Sequence, residues 1–263
     1  MRDITNKHIV VVGAARSGLA VALLLNSKGA TVFVTDHSTI SEQTKAKLNN
    51  QEIPFEENGH TRQAHNGDFL VLSPGVPSDA PLVQQYRKAD KDIFSEIEIA
   101  SRFNNSPLVA VTGSNGKTTV ANWLDHTWTI AERNHFTAGN IGSAFSDNVH
   151  ESSSDCDGLL EVSSFQLDHI ETFKAHISLL LNITPDHLDR YQNDFSKYAA
   201  SKFRITENQT SDDWFIYNYD DSTVAAHAQS LKKKRMRLNC WHFHSVGNPT
   251  NRTVLSSETR TSC

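Results

Sequence analysis

The stretch Val109-Ala110-Val111-Thr112-Gly113-Ser114-Asn115-Gly116-Lys117-Thr118-Thr119 constrains this chain more than any other. An apolar run enters a glycine turn, and a helical pattern leaves it. Strand, glycine turn and helix in that order is the unit from which parallel α/β sheets are built. Gly113 and Gly116 stand closer together than the glycines of G-x-x-x-x-G-K-[ST], but the chemistry survives the change. Glycines let backbone N–H groups turn inward around phosphate oxygens. A helix starting near Lys117 adds its positive dipole end. Lys117 brings a mobile cation for the β- and γ-phosphates of a nucleotide, and the Thr118 hydroxyl suits Mg2+. Gly113, Ser114, Asn115, Gly116, Lys117, Thr118 and Thr119 are therefore the candidate ATP-binding loop. A glycine turn that binds nothing is the competing reading; the joint occurrence of strand, glycines, Gly-Lys-Thr-Thr and helix weighs against it.

With 263 residues the chain has room for one large domain or two ordinary ones. A formal charge of −5 argues against non-specific nucleic-acid binding. Cys156, Cys240 and Cys263 are too few and too scattered for a disulfide framework, which points to a reducing cytoplasm. The start of the chain has no secretory apolar core, and no run approaches the roughly 20 apolar residues that span a bilayer. Membrane insertion is not expected.

His8 to Val12 has the character of a buried strand, Gly13-Ala14-Ala15-Arg16-Ser17-Gly18 of a turn, and Leu19 to Lys28 of a helix. Thr31 to Thr35 forms a second strand that ends at Asp36. This is a Rossmann-like layout, with an acid placed for a ribose or base. Ala15, however, occupies the place of the second glycine of G-x-G-x-x-G, where close approach to a pyrophosphate is normally needed. A dinucleotide-dependent oxidoreductase is thereby disfavoured, while a nucleotide-like ligand held differently is not. Phe69 to Leu72 is a further strand, ending in the rigid Ser73-Pro74-Gly75-Val76-Pro77 turn, which local sequence supports equally as a ligand-binding sheet edge and as a plain Pro-Gly turn. Asn104-Asn105-Ser106-Pro107 is a polar break and sets the first boundary, giving a Rossmann-like domain over residues 1–104.

Beyond the phosphate loop, Val120 to Ala131 reads as a helix with apolar positions Trp123, Leu124, Trp128 and Ile130, whose tryptophans are expected in a core rather than against a cofactor. Gly139-Asn140-Ile141-Gly142 is a flexible turn with one amide side chain. Glu161 lies inside the apolar strand Gly158 to Ser163, where a carboxylate costs several kcal/mol unless paired or metal-bound. Beside a nucleotide-Mg2+ loop, metal ligation is the better explanation. Ile177 to Ile183 is another strand, and His187 follows it among polar residues. Asp194 caps a helix from Phe195 to Ile205, Trp214 to Asn218 is a strand, and a helix runs to about Leu231. Alternating strands and helices imply a central P-loop ATPase-like α/β domain over 105–231 with a parallel sheet.

Four segments resemble the Mur ligase family of bacterial peptidoglycan synthesis. They are Thr112 to Thr119, Gly139 to Gly142, Glu161-Val162-Ser163-Ser164-Phe165-Gln166-Leu167, and Leu181 to Arg190 with its Thr-Pro-Asp-His-Leu-Asp-Arg core. The phosphate loop alone indicates only the superfamily, which includes folylpolyglutamate synthases. The Ser-Ser-Phe-Gln-Leu and His-Leu-Asp-Arg stretches are similar to the branch that adds D-glutamate to UDP-N-acetylmuramoyl-L-alanine. The resemblance covers roughly residues 5 to 230. It implies an ATP-dependent ligase acting through an acyl phosphate, with Lys117, His187 and Lys202 as catalytic residues. It assigns Thr118, Glu161, His187 and Lys202 to Mg2+, the last as a carbamate in Ala199-Ala200-Ser201-Lys202-Phe203-Arg204-Ile205. Ser17, Asp36, Ser73, Pro74, Gly75 and Asn140 are implied as contacts of the UDP-substrate. A monomer in the cytoplasm is expected.

The family carries a third, carboxyl-terminal ligase domain, and the expectation from the chain's length is that this domain is missing. Residues 232–263 are compositionally distinct: seven of the 25 Lys+Arg, one of the 30 Asp+Glu and two of the three Cys fall there. Lys232 to Arg237 is a basic run of the kind that is usually solvated. No strand–helix alternation is evident after it, and a disordered tail outside the family's sequence, such as a shifted reading frame would give, is expected. Such a chain would ligate weakly or act only as a nucleotide-binding fragment; another amide ligase of the superfamily is the remaining alternative.

Overall fold

The computed structural model describes residues 4–149, 152–233, 238–244 and 256–257. The chain forms two compact α/β units. The first comprises residues 1–105 together with 138–152 and 165–173; the second comprises 106–137, 153–164 and 174–263.

In the first unit, β1 (His8–Val12), β2 (Thr31–Thr35), β3 (Phe55–Glu56), β4 (Phe69–Leu72) and β5 (Ile93–Ser95) form one parallel sheet in the order β3-β2-β1-β4-β5. Parallel strands are covered on both faces, so they read as continuous apolar runs. Val10 and Val11 of β1 and Leu70 and Val71 of β4 are accordingly fully buried. The order reverses between β1 and β4, and loops leaving that pair at their carboxyl ends form the ligand-binding edge of such sheets. The glycine turn leaves β1 there, and the Ser73-Pro74-Gly75 turn leaves β4.

Helix α1 (Arg16–Ser27) begins earlier than the sequence pattern indicates, directly at the turn. Helix α2 (Glu42–Asn50) is capped by Ser41, whose hydroxyl accepts from the Thr44 N–H. Helix α3 (Pro81–Lys88) carries proline in its first turn, where the missing N–H costs nothing. Helix α4 (Glu96–Ser101) is buried almost throughout.

The second unit is built on β6 (Leu108–Thr112), and along the chain follow helix α5 (Lys117–Ile130), β7 (His135–Gly139), the short helix α6 (Phe145–Asn148), β8 (Asp157–Glu161), the one-turn helix α7 (Ser164–Leu167) and β9 (Ile177–Leu180), of which α6 and the last residues of β7 and α7 belong to the first unit. Helix α8 (Phe195–Phe203), β10 (Trp214–Asn218), helix α9 (Ser222–Lys233), β11 (Asn239–Phe243) and β12 (Ser256–Ser257) complete it. The sheet order is β12-β11-β10-β9-β6-β8-β7. β11, β10, β9, β6 and β8 run parallel, and β12 is antiparallel to β11.

Two expectations change. Trp123 is 67% exposed rather than core, and the apolar Ile130 is 70% exposed. The apolar period of α5 is wider than the face it presents to the sheet, and only Ala121 is buried. Trp128 is half-buried, and its indole N–H donates to Asp157 at 2.7 Å. Secondly, regular structure continues past residue 231: Asn239–Phe243 pairs in parallel along the whole of β10. Trp241 packs edge-on against Trp214, so a strand with few aliphatic residues still finds apolar partners. The side chains of the basic run Lys232 to Arg237 lie outside the described residues.

Candidate functional site

The phosphate-loop residues lie at the carboxyl end of β6, between β8 and β9. Gly116 precedes α5 with φ +83°, the left-handed region that glycine enters without strain. Helix α5 has no side-chain cap, so its first N–H groups are available to an anion. The Lys117 ammonium donates to the Gly113 and Ser114 carbonyls at 2.9 and 3.0 Å, which keeps the cation on the loop.

Loop shape is fixed by the segment that follows β9. The Ser114 N–H donates to the Asn182 carbonyl, and the Ser114 hydroxyl donates to the Thr184 carbonyl at 2.9 Å. Asn115 and Asn182 exchange hydrogen bonds: the Asn115 N–H donates to Asn182 Oδ1 at 2.9 Å, and Asn182 Nδ2 donates to the Asn115 carbonyl at 3.0 Å. The Tyr198 hydroxyl lies 2.9 Å from the Ser114 hydroxyl. Burial pushes the Tyr198 phenol up, which keeps it a neutral hydrogen-bonding group.

Glu161 ends β8 at 1% exposure, and its Oε2 accepts from the Thr118 hydroxyl at 2.7 Å. The structure thus brings two side-chain oxygens together at the start of α5. Their separation fits an octahedral Mg2+ ion, whose adjacent ligands at 2.0–2.1 Å lie about 2.9 Å apart. Among the described residues no group of three or more His, Cys, Asp and Glu side chains forms a metal cage. A hard cation held by one carboxylate and one hydroxyl takes its remaining oxygens from phosphate and water.

Lys202 is 2% exposed, and its ammonium donates to the Gly113 carbonyl at 2.8 Å and lies 4.8 Å from the Tyr198 ring centre. It therefore shares the loop with Lys117. His187 stands in the left-handed region at φ +47°, exposed, with its Nε2 3.6 Å from Asp186 Oδ2. Thr119 is exposed on the first turn of α5.

A cavity of about 530 Å3 lies at the other end of β6, lined by Leu108, Trp128, Ala131, Arg133 and Asp157 among others. Its lining is largely apolar and holds none of the loop residues.

The remaining candidates lie in the first unit. Asp36 follows β2, and its carboxylate accepts from the Ala14 N–H at 2.7 Å and the Ser38 N–H at 2.8 Å. Ser17 is buried in the first turn of α1. The Ser73 hydroxyl donates to the Gly13 carbonyl at 2.9 Å, tying the two turns at the switch point. Pro74 is half-buried and Gly75 exposed beside it. Asn140 is exposed on its turn.

Two polar residues of this unit escape sequence reasoning. Arg16 donates to the carbonyls of Gly139, Asn140 and Gly142. Glu96, 1% exposed, accepts from the Ser146 N–H at 2.6 Å. Burial pushes the Glu96 carboxyl up to about 7. The only sequence signal for Arg16 is a cation at a helix start, where the dipole disfavours it.

Comparisons with known proteins agree with this architecture. A family model of the Mur ligase middle domain matches residues 111–248, and one of the MurD N-terminal domain matches residues 8–82. The first match runs past Leu231 and takes in β11, so this part of the tail is family sequence. The UDP-N-acetylmuramoylalanine--D-glutamate ligase of Salinibacter ruber is 47% identical over 227 residues, covering 84% of this chain and 49% of that protein. Its namesake from Bacteroides thetaiotaomicron is 41% identical over 241 residues, covering 91% and 53%. The chain thus spans about half the length of the curated relatives it matches. Among solved structures, the UDP-N-acetylmuramate:L-alanyl-gamma-D-glutamyl-meso-diaminopimelate ligase from Neisseria meningitides superposes with TM-score 0.58 at 16% identity, over 96% of this chain and 85% of that one. UDP-N-acetylmuramate-alanine ligase from Thermotoga maritima superposes with TM-score 0.51 at 19% identity, over 84% and 51%. At such identities these structures speak for the fold, and the sequence match carries the rest: this chain belongs to the Mur ligase family.

Proposed function

We propose that the chain provides the UDP-substrate and Mg-ATP binding units of an ATP-dependent amide ligase. The reaction joins D-glutamate to UDP-N-acetylmuramoyl-L-alanine in peptidoglycan synthesis. The observation that carries the reading is the 2.7 Å pairing of Thr118 with the buried Glu161 at the uncapped start of α5, beside Lys117.

The chemistry is a phosphoryl transfer followed by an acyl transfer. The substrate carboxylate attacks the γ-phosphorus and ADP leaves; the amine of D-glutamate then attacks the acyl carbon and phosphate leaves. Both reactants of the first step are anions, so positioning and charge neutralisation dominate. Gly113 to Thr119 cradle the triphosphate through backbone N–H groups, and Lys117 turns from the loop carbonyls to the phosphates. Thr118 and Glu161 hold Mg2+, which supplies compensation of phosphate charge. Lys202 and His187 complete the catalytic set. Lys202 as a carbamate offers an anionic oxygen to a metal, which its ammonium cannot. Ser17, Asp36, Ser73, Pro74 and Gly75 contact the UDP moiety, and Asn140 approaches the muramoyl-alanine end.

The protein works as a monomer in the cytoplasm, where ATP is available; no helix among the described residues is long and apolar enough to cross a membrane. Coupled ADP release with UDP-N-acetylmuramoyl-L-alanine and D-glutamate tests the reading. Turnover with those substrates supports it. Turnover with a folate and L-glutamate instead sinks it, and calorimetric binding of both nucleotides without product assigns the chain a binding role only.

A further inference from the structure

Arg16 is an unfavourable residue for its place. It is the first residue of α1, where the helix dipole repels a cation. Among the described residues, the bonds from its Nη1 and Nη2 all go to backbone carbonyls. Nη1 donates to the Gly142 carbonyl at 2.5 Å, and Nη2 donates to Asn140 at 2.9 Å and Gly139 at 3.3 Å. All four residues belong to the first unit.

The turn they form is shaped for this. Gly139 and Gly142 both lie at positive φ, at +106° and +62°. The Gly139 N–H closes the turn on the Ser143 carbonyl at 2.9 Å. A few residues on, the Ser146 N–H is taken by the buried Glu96. One segment is thus pinned by a cation on its carbonyls and a buried carboxyl on its N–H.

From this geometry we infer that Arg16 is a positioning residue. Its planar fork holds the Gly139–Gly142 turn, and so presents Asn140 to the substrate. The inference deepens the proposed function and rests on it for the role of Asn140. Lysine cannot do the same work, because a single ammonium lacks the fixed fork that spans several carbonyls.

Two measurements on Arg16→Ala and Arg16→Lys test it. The first needs no ligand: hydrogen exchange at the Gly139 amide. We expect about tenfold faster exchange there in both variants, with amides of β1 unchanged. Unchanged exchange at Gly139 overturns the clasp, and uniformly faster exchange reduces Arg16 to general stability. The second is calorimetric affinity for UDP-N-acetylmuramoyl-L-alanine. Both variants are expected to bind about tenfold more weakly, and Arg16→Ala added to Asn140→Ala is expected to cost less than about twofold more. Wild-type affinity in Arg16→Lys, or full additivity with Asn140→Ala, overturns action through Asn140. Failure of the unaltered chain to bind this substrate contradicts the proposed function and the role through Asn140 together, while the exchange result still decides the clasp.

Discussion

The two glycine turns of this molecule follow the same strand–turn–helix logic and end in opposite conditions. In the first unit, the Gly13–Gly18 turn is already filled by the protein. Its Ala14 N–H is taken by Asp36, its Gly13 carbonyl by Ser73, and its one cation by the carbonyls of another turn. A Cβ at Gly18 would stand 1.7 Å from the Gly13 oxygen. In the second unit, the Gly113–Gly116 turn is braced from outside by Asn182, Thr184 and Tyr198, while the helix start it leads into has no side-chain cap and Lys117 donates to the turn's own carbonyls. Gly18 serves close packing in one, and Gly116 supplies a left-handed residue ahead of a helix in the other. The difference separates a turn closed by contacts within the protein from a turn that leads into a helix start with no side-chain cap.

Substitution of the glycines probes this contrast most strongly. Gly18→Ala should destabilise the first unit by more than about 4 kcal/mol, because backbone must move to admit the methyl group; thermal unfolding measures it. At Gly116 the added Cβ meets only Leu181 at 3.6 Å, so Gly116→Ala should cost about 1–2 kcal/mol through its left-handed φ. Equal losses at the two sites would break the distinction.

Next in size, Lys117→Ala should weaken Mg-ATP binding by about 100-fold, as loss of a charged hydrogen-bonding group does. Its melting temperature should stay within about 2 °C of the parent. A large fall in melting temperature would mean that Lys117 serves the loop rather than the ligand.

A third test uses pH. Glu96 is raised by burial from 4.5 to about 7, so the fold holds its neutral carboxyl. At roughly 1.4 kcal/mol per unit, it contributes about 3 kcal/mol below pH 4.5 that is lost as pH rises through 7. Glu96→Gln should remove that slope in a denaturation series from pH 5 to 8. Glu98 runs the other way. Burial pushes its carboxyl up, but hydrogen bonds from Glu171, Thr172, Arg102 and Phe173 outweigh this and hold it below the usual carboxylate range. Its contribution is present above pH 4.5 and disappears on acidification. The smallest expected effect is Ser73→Ala, about 1 kcal/mol for one neutral hydrogen bond to Gly13, read from the same melts.

The legible parts of the molecule are those whose cause is local. Buried parallel strands such as Val109–Thr112 and Phe69–Leu72 are continuous apolar runs. Glu161 stands out because a carboxylate in such a run needs a reason. Other parts depend on partners far along the chain: Arg16 meets Gly142 across 126 positions, and Asn115 meets Asn182 across 67. Neither pairing has a local signal. His135–Gly139 and Asn239–Phe243 mix polar and aromatic residues, so period alone does not mark them as strands. Trp123 and Ile130 recur at helical spacing, yet periodicity does not say how wide the covered face is.

The buried Glu98 has a practical consequence for dissecting the protein. Its partners Glu171, Thr172 and Phe173 come from a stretch more than 70 positions later. A fragment cut at Asn105 would keep Arg102 beside the Glu98 carboxylate but lose every donor from Glu171, Thr172 and Phe173. The first unit therefore cannot be excised by a single scission, and an autonomous version would need segments 138–152 and 165–173 grafted back through new linkers.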